Sequence, residues 1–423
     1  MAFEPAAEHR AIDVAAIRDF FPGLSGDWTF FDNAGGSQIA RPVLDRVNEY
    51  LLTSNVQHGA SYDVSRLAGE RLQEATSAVA SMVNASGPDE IIMGPSSSML
   101  ARMLAESFGG TLEPGDEIIV SNGDHESNIG PWSGLEERGA TIKFWNVREE
   151  TAALHVVDLD ALLSERTRLV AVTHVSNILG QINPIRAIAA RVHDAGALLC
   201  VDGVAFAPHR RVDVQALDAD FYFLSFYKLF GPHHAMLYGR REHLLGLPKT
   251  NFYFIDDEDI PYKFQPGNVN YELGYGTLGV LDYLRAAARA HDIDDAGDAG
   301  EMLRLIFDKF ATHEQSLTHR FLEFLDSKKR VRVIGPGTAD RVTRVSTVSF
   351  TVDGADSADI VRAVDRHRIG IRYGDFYSRR LVDALGLASS NGVVRVSMVH
   401  YNTHDEVDRL IEALDSLTDG RSR

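Results

Sequence analysis

From residue 90 to residue 240, short apolar runs alternate with stretches of helical spacing, and this rhythm limits the possible folds more than any other feature. The runs are EIIMG at 90–94, EIIVS at 117–121, TIKFWN at 141–146, RLVAVT at 168–173, ALLCVD at 197–202, DFYFLS at 220–225 and AMLY at 235–238. Between them, helices are predicted over 98–108, 127–138, 158–164, 184–195 and 213–217. Strands alternating with helices build βαβ units, so the class is α/β with a mostly parallel sheet. Near-continuous apolar strands such as LLCVD suit a sheet covered on both faces. Upstream, helices are predicted over 11–21, 40–52 and 63–84, the last with apolar positions at Leu67, Leu72, Ala75, Val79 and Met82. Residues 250–275 read as irregular, and 276–326 as one long helical region. Strands at 331–334, 345–352, 369–373 and 393–398 and helices at 356–366 and 403–418 complete a smaller α+β unit. The expected organisation is an N-terminal helical segment (1–22) packing with the small domain, a large domain (23–275) and a small C-terminal domain (276–423).

Two polar residues interrupt this apolar framework where chemistry belongs. Asp202 ends one strand, and Lys228 follows the next in SFYKLFGP at 225–232. Ligands of open α/β sheets bind outside the C-terminal ends of the strands. A lysine flanked there by aromatics and a Gly-Pro turn is a candidate for Schiff-base chemistry, because partial desolvation keeps some amine uncharged. An acid at a neighbouring strand end can hold the protonated pyridine nitrogen of pyridoxal phosphate (PLP). A turn-capping Asp202 with a solvated Lys228 accounts for the same spacing, and spacing alone leaves both open.

The composition narrows the partners. Lys and Arg total 42 against 60 Asp and Glu, a formal net charge of −18. Such a balance opposes coating nucleic acid or an anionic membrane, though not a local basic pocket for a small anion. There is no run of about 18 apolar residues to span a membrane. Met1–Arg18, with Glu4, Glu8, Arg10 and Asp13, does not read as a secretory signal, and a cytoplasmic enzyme is expected. With one cysteine, Cys200, neither an intramolecular disulfide nor a Cys-rich zinc site is possible, and the 16 histidines form no ligand motif, so no metal is expected.

Several ordered segments carry a resemblance. They are FFDNAGGSQ at 30–38, NVQHG at 55–59, GDHESNIGPW at 123–132, HVSNILG at 174–180, VDG at 201–203, SFYKLFGP at 225–232, GNVN at 267–270, IRYG at 371–374 and VRVSMVHYNTHDEVDRL at 394–410. In this set the chain resembles class V aminotransferase-fold PLP enzymes of the cysteine desulfurase and selenocysteine lyase group, and most of all a "cysteine desulfurase-like" branch. The resemblance implies PLP fold type I. It makes Lys228 the Schiff-base lysine, Asp202 the partner of the ring nitrogen, and His125 a ring-stacking group that can help in proton transfer. Asn177 would approach the ring oxygen. Ser97, Ser98, Ser225 and Tyr227 would hold the phosphate, Tyr227 standing where desulfurases carry histidine. Asn268 matches a position that reaches the phosphate of the other subunit, which implies a homodimer with active sites at the subunit interface. Arg395 matches the clamp for the substrate's α-carboxylate, and Arg372 a second arginine at the mouth. His58 and Tyr62 are candidates to line the substrate pocket.

The departures concern sulfur. The loop that holds the desulfurase cysteine reads RYGDFYSRR at 372–380, with Tyr377 about where the thiol belongs. Cys200 lies on a strand two residues before Asp202, which predicts an inert core thiol. Ala205 replaces a glutamine often found near the ring oxygen. The expected activity is therefore PLP chemistry on an amino acid through an external aldimine, as a C–S or related β-lyase without a persulfide-forming cysteine. A class V aminotransferase or amino-acid epimerase is the alternative. A PLP-fold binding protein without catalysis is the third reading, opposed by the retained Lys228, Asp202, His125 and Arg395.

Overall fold

The computed structural model describes residues 11–419. Residues 1–10, which carry part of the expected N-terminal segment, and 420–423, at the end of the expected small domain, lie outside the described residues. The alternating region forms a seven-stranded sheet. Its order is Ile91–Gly94, Ala235–Gly239, Phe221–Ser225, Leu198–Asp202, Thr167–Thr173, Glu117–Ser121 and Thr141–Trp145. Ala235–Gly239 runs antiparallel to both its neighbours, and the other adjacent pairs are parallel.

Each strand serves two cores at once. Val170, Val172, Leu199, Val201, Tyr222 and Leu224 enter one apolar cluster. Their chain neighbours Leu169, Ala171, Cys200, Phe221 and Phe223 enter another. Alternate side chains of a strand point to opposite faces, so apolar residues at successive positions require cover on both. The C-terminal ends of Thr167–Thr173, Leu198–Asp202 and Phe221–Ser225 therefore meet at one edge, beside the start of helix Ser97–Gly109.

A second sheet has the order Arg372–Gly374, Val393–Ser397, Thr347–Val352, Val331–Ile334. Thr29–Phe30 pairs in parallel with Ile369–Gly370, and Asp32 bridges to Ser397. These contacts bring the start of the chain onto the end of the C-terminal unit. Arg18 adds hydrogen bonds to the Tyr401 carbonyl at 2.8 Å and to Glu406 at 2.9 Å.

Several elements differ from the sequence reading. The helix expected over 127–138 is three short pieces, Glu126–Asn128, Gly130–Ser133 and Gly134–Arg138, in a stretch punctuated by Gly130, Pro131, Gly134 and Gly139. The region expected as one helix divides into Leu278–Arg289 and Ala299–Asp326, the second capped by Asp298. Leu278–Arg289 contributes to the same core as the large sheet. The long helix serves both units: Met302 to Phe310 join that core, whereas Leu317, Phe321 and Leu325 join the core of the small sheet. The strand expected over 369–373 splits between two sheets. The helix expected over 11–21 is one turn, Val14–Arg18. Leu67, expected on a core stripe, is exposed. Among the described residues no helix is long and apolar enough to cross a membrane.

Candidate active site

Ser97, Ser98, His125, Asn177, Asp202, Ala205, Tyr227 and Lys228 line one cleft at the C-terminal edge of the large sheet. Ser127, Thr173, Val175 and Val204 complete its lining. Lys228 ends the single turn Phe226–Lys228 that follows its strand, and is only 8 % exposed. Burial, helped by the charge of Arg395, brings its amine down to about 8, while Asp202 and Asp32 pull the other way. Asp202 is buried and accepts a hydrogen bond from the Val204 N–H at 2.9 Å. Burial holds its carboxyl above the usual carboxylate range, with Lys228 opposing.

Pro95 and the Ser96 cap set the start of helix Ser97–Gly109: the Ser96 hydroxyl accepts from the Met99 N–H at 3.2 Å. Ser97 and Ser98 are then the first helical residues, and the Ser225 hydroxyl donates to that of Ser97 at 3.1 Å. Free N–H groups and the helix dipole favour an anion at such an end. His125 caps the turn Glu126–Asn128. Its Nδ1 accepts from the Ser127 N–H at 3.1 Å, which leaves the proton of the neutral ring on Nε2. Burial first, then the charges of Lys228 and Arg395, lowers its pKa to about 4, so the ring is neutral at physiological pH. Beside it, Asp124 accepts from Ser121 at 2.8 Å and Asn128 at 2.7 Å, and burial raises its carboxyl to about 7.

The loop 374–378 covers the cleft and ties its two sides together. The Asn177 amide donates to the Phe376 carbonyl at 2.9 Å and accepts from the Ser378 hydroxyl at 2.8 Å. The Glu126 N–H donates to the Tyr377 carbonyl at 2.8 Å, and Arg380 pairs with the Glu126 carboxylate. Phe376 and Tyr377 have φ of 50° and 60°, left-handed values that these contacts hold in place. The Tyr377 ring is 5.2 Å from that of His125 and is 72 % exposed. Cys200 is fully buried, and burial pushes its thiol up.

Arg395 lies on Val393–Ser397, directly across from Arg372 in the neighbouring strand. It is 2 % exposed, donates to Asp32 at 2.9 Å and to the Asn177 carbonyl at 3.2 Å, and lies 3.8 Å over the Phe376 ring. Burial lowers its pKa to about 10, with Asp32 opposing, so the guanidinium stays charged. Arg372, half-exposed, sits 3.5 Å from the other Asp32 oxygen. His58 and Asn268 are elsewhere. With Gln57 and Tyr271 they line a separate pocket, where Asn268 donates to Gln57 at 3.1 Å. Tyr62 is exposed. Asp32, Asp124 and Phe376 are site groups that the sequence reading did not single out. A buried lysine and a buried acid thus share one cleft at the ends of adjacent strands, beside the start of a helix.

The family model for class-V aminotransferases matches residues 29–410. "Aminotransferase-like protein FGM3" of Gibberella zeae is 43% identical over 413 residues, covering 96% of this chain and 98% of its own. "Cysteine desulfurase-like protein ustD" of Aspergillus flavus is 36% identical over 420 residues, covering 96% and 91%. The solved apo cysteine desulfurase of Thermococcus onnurineus NA1 superposes with a TM-score of 0.84 at 26% identity, covering 99% of this chain and 100% of its own. The chain belongs to the class V aminotransferase family, whose members, cysteine desulfurases among them, are PLP-dependent enzymes.

Proposed function

We propose that the chain binds PLP at Lys228 and acts on an α-amino acid as a C–S or related β-lyase that forms no persulfide on the protein. The observation that carries this is the buried Lys228 amine, close to neutrality, in one cleft with Asp202, His125 and the first turn of helix Ser97–Gly109. The residues fit the cofactor. The N-terminal turn, with Ser97, Ser98 and Ser225, suits a phosphate dianion. Asp202 suits a protonated ring nitrogen, and such a cation would draw its carboxyl back down. Bound there, PLP supplies an electron sink for negative charge developing at the substrate's α carbon.

The protein's own groups do the rest. The Lys228 amine, near 8, can take and return the α-proton around neutral pH. His125, neutral with its proton on Nε2, presents a flat face and a donor rather than a cation. Arg395 suits the α-carboxylate through its planar fork. No thiol is at hand for sulfur transfer: Cys200 is in the core, and Tyr377 occupies the covering loop. A leaving group that departs unaided, such as a sulfinate, sulfoxide or selenide, suits this site.

A homodimer is part of the proposal. It is supported by His58 and Asn268 lying outside the Lys228 cleft of their own chain, and by the exposed Leu51, Leu52, Tyr62, Val64 and Leu67. A division into two domains is supported by the two separate sheets, but Leu278–Arg289 and Met302 to Phe310 pack in the core of the large sheet, which moves the proposed boundary from near 275 into Ala299–Asp326. Borohydride reduction of PLP-loaded protein should fix the cofactor to Lys228, read by peptide mass mapping, and a chain that takes up no PLP refutes the reading. A panel of cysteine, cysteine sulfinate, cysteine S-conjugates and sulfoxides, and selenocysteine should release the β-substituent. Turnover that retains it, or a protein-bound persulfide, refutes the lyase assignment. Sedimentation equilibrium at the mass of one chain refutes the dimer.

A further inference from the structure

We propose that Asp32 is a positioning residue that stands in for the substrate's carboxylate, holding Arg395 and Arg372 in the resting site and yielding Arg395 to an incoming α-carboxylate. The proposal rests on the reading of Arg395 as the substrate clamp. Two arginines paired across adjacent strands converge on this one side chain, Arg395 at 2.9 Å and Arg372 at 3.5 Å. Three sides of the Arg395 guanidinium are occupied, by Asp32, by the Asn177 carbonyl and by the Phe376 ring. Its Nε–H is buried with no partner among the described residues. Nε–H and the neighbouring Nη2–H form the edge that takes a carboxylate through two parallel bonds. Asp32 reaches only Nη2, so a carboxylate seated on that edge satisfies one donor that Asp32 leaves open.

The exchange leaves no bare charge behind. Asp32 is 29 % exposed and Arg372 is 55 % exposed, so Asp32 keeps Arg372 and water as partners when Arg395 is taken. The space for its resting position is built into the chain. A Cβ on Gly35 would lie 2.8 and 2.9 Å from the two Asp32 oxygens. The device makes binding a competition: a ligand must do better than a carboxylate already in place, which screens out simple anions that a buried arginine would otherwise collect.

The test is calorimetric titration of propionate, a carboxylate without an amine, into the PLP-loaded protein. Asp32→Asn removes the internal competitor. Gly35→Ala pushes the same carboxylate aside with every charge retained, and keeps the test decisive if Asp32→Asn fails to fold. Both variants should bind propionate about tenfold more tightly, equivalent to about 1.4 kcal/mol. Both should also show a lower KM for the amino-acid substrate with no rise in kcat. Affinity that is unchanged or weaker in both overturns the proposal and reduces Asp32 to a structural ion pair. Borohydride fixation at Lys228 reads the cofactor assignment separately. Propionate binding that survives Arg395→Gln overturns the clamp reading and the proposal with it.

Discussion

Replacing Lys228 by methionine should stabilise the cofactor-free protein at neutral pH while abolishing PLP fixation. The lysine amine sits at about 8 in the folded chain against 10.5 in the open chain. By linkage this difference amounts to about 3 kcal/mol. The sign follows from proton counts. Below pH 8 both states hold the proton, and the cost of a buried ammonium is present in full. Between 8 and 10.5 the unfolded chain holds the proton and the folded chain does not, so stability rises with pH. Above 10.5 the cost is gone. Methionine keeps the length and volume without the charge, so little packing is lost. Against this, Asp202 loses a neighbouring cation, and its carboxyl, already raised by burial, rises further. Allowing about 1 kcal/mol for that loss, the net gain at pH 7 is about 2 kcal/mol. Urea midpoints of both proteins, without PLP, between pH 6.5 and 10 measure it. The gap should be widest below pH 8 and narrow toward pH 10. A wild-type chain that is the more stable at pH 7, or a gap independent of pH, refutes the view that burial of the amine sets its reactivity.

Three further substitutions separate scaffold from chemistry. Cys200→Ser should cost about 1–3 kcal/mol, because a hydroxyl replaces a thiol in an apolar core, yet leave the turnover of each substrate unchanged; loss of activity in a folded variant would return the thiol to the mechanism. Ser378→Ala leaves the Asn177 amide oxygen without its 2.8 Å donor. It should cost about 1–2 kcal/mol in thermal or urea unfolding and raise KM by loosening the covering loop; an unchanged KM argues that the loop does not touch substrate. Gly180→Ala should destabilise by at least about 2 kcal/mol, since Gly180 has φ of +68° and its Cβ would lie 2.2 Å from the Thr347 carbonyl oxygen. A melting temperature within 1–2 °C of wild type counts against that packing, because a loss of this size should lower it by several degrees.

The sheet strands were legible because each apolar run carries its own signature: two covered faces demand apolar residues at successive positions, as in LLCVD. The placement of Asp202 and Lys228 followed from the rule that sites lie at the C-terminal ends of parallel strands. Segments whose structure depends on distant contacts were less legible. The stretch 369–373 has strand spacing throughout, but Ile369–Gly370 finds its partner at Thr29–Phe30 whereas Arg372–Gly374 pairs with residues 393–395 of the neighbouring strand. Leu67 has core spacing on its helix, yet it remains exposed. Asp32 lay unremarked within FFDNAGGSQ because its partner Arg395 is 363 residues away, and no local signal links them.

The amino-acid sequence by itself determined the α/β class, the edge of the sheet where ligands bind, and the absence of a thiol in the loop at 372–380, since each depends on residue type and short-range spacing. Tertiary structure alone decided the state of the site. Burial lowers the Lys228 amine and keeps His125 neutral, and it leaves one N–H of Arg395 without a partner among the described residues. It also seats an internal carboxylate between two arginines. These are properties of desolvation and of charges brought together across the chain, and neither exists until the chain has folded.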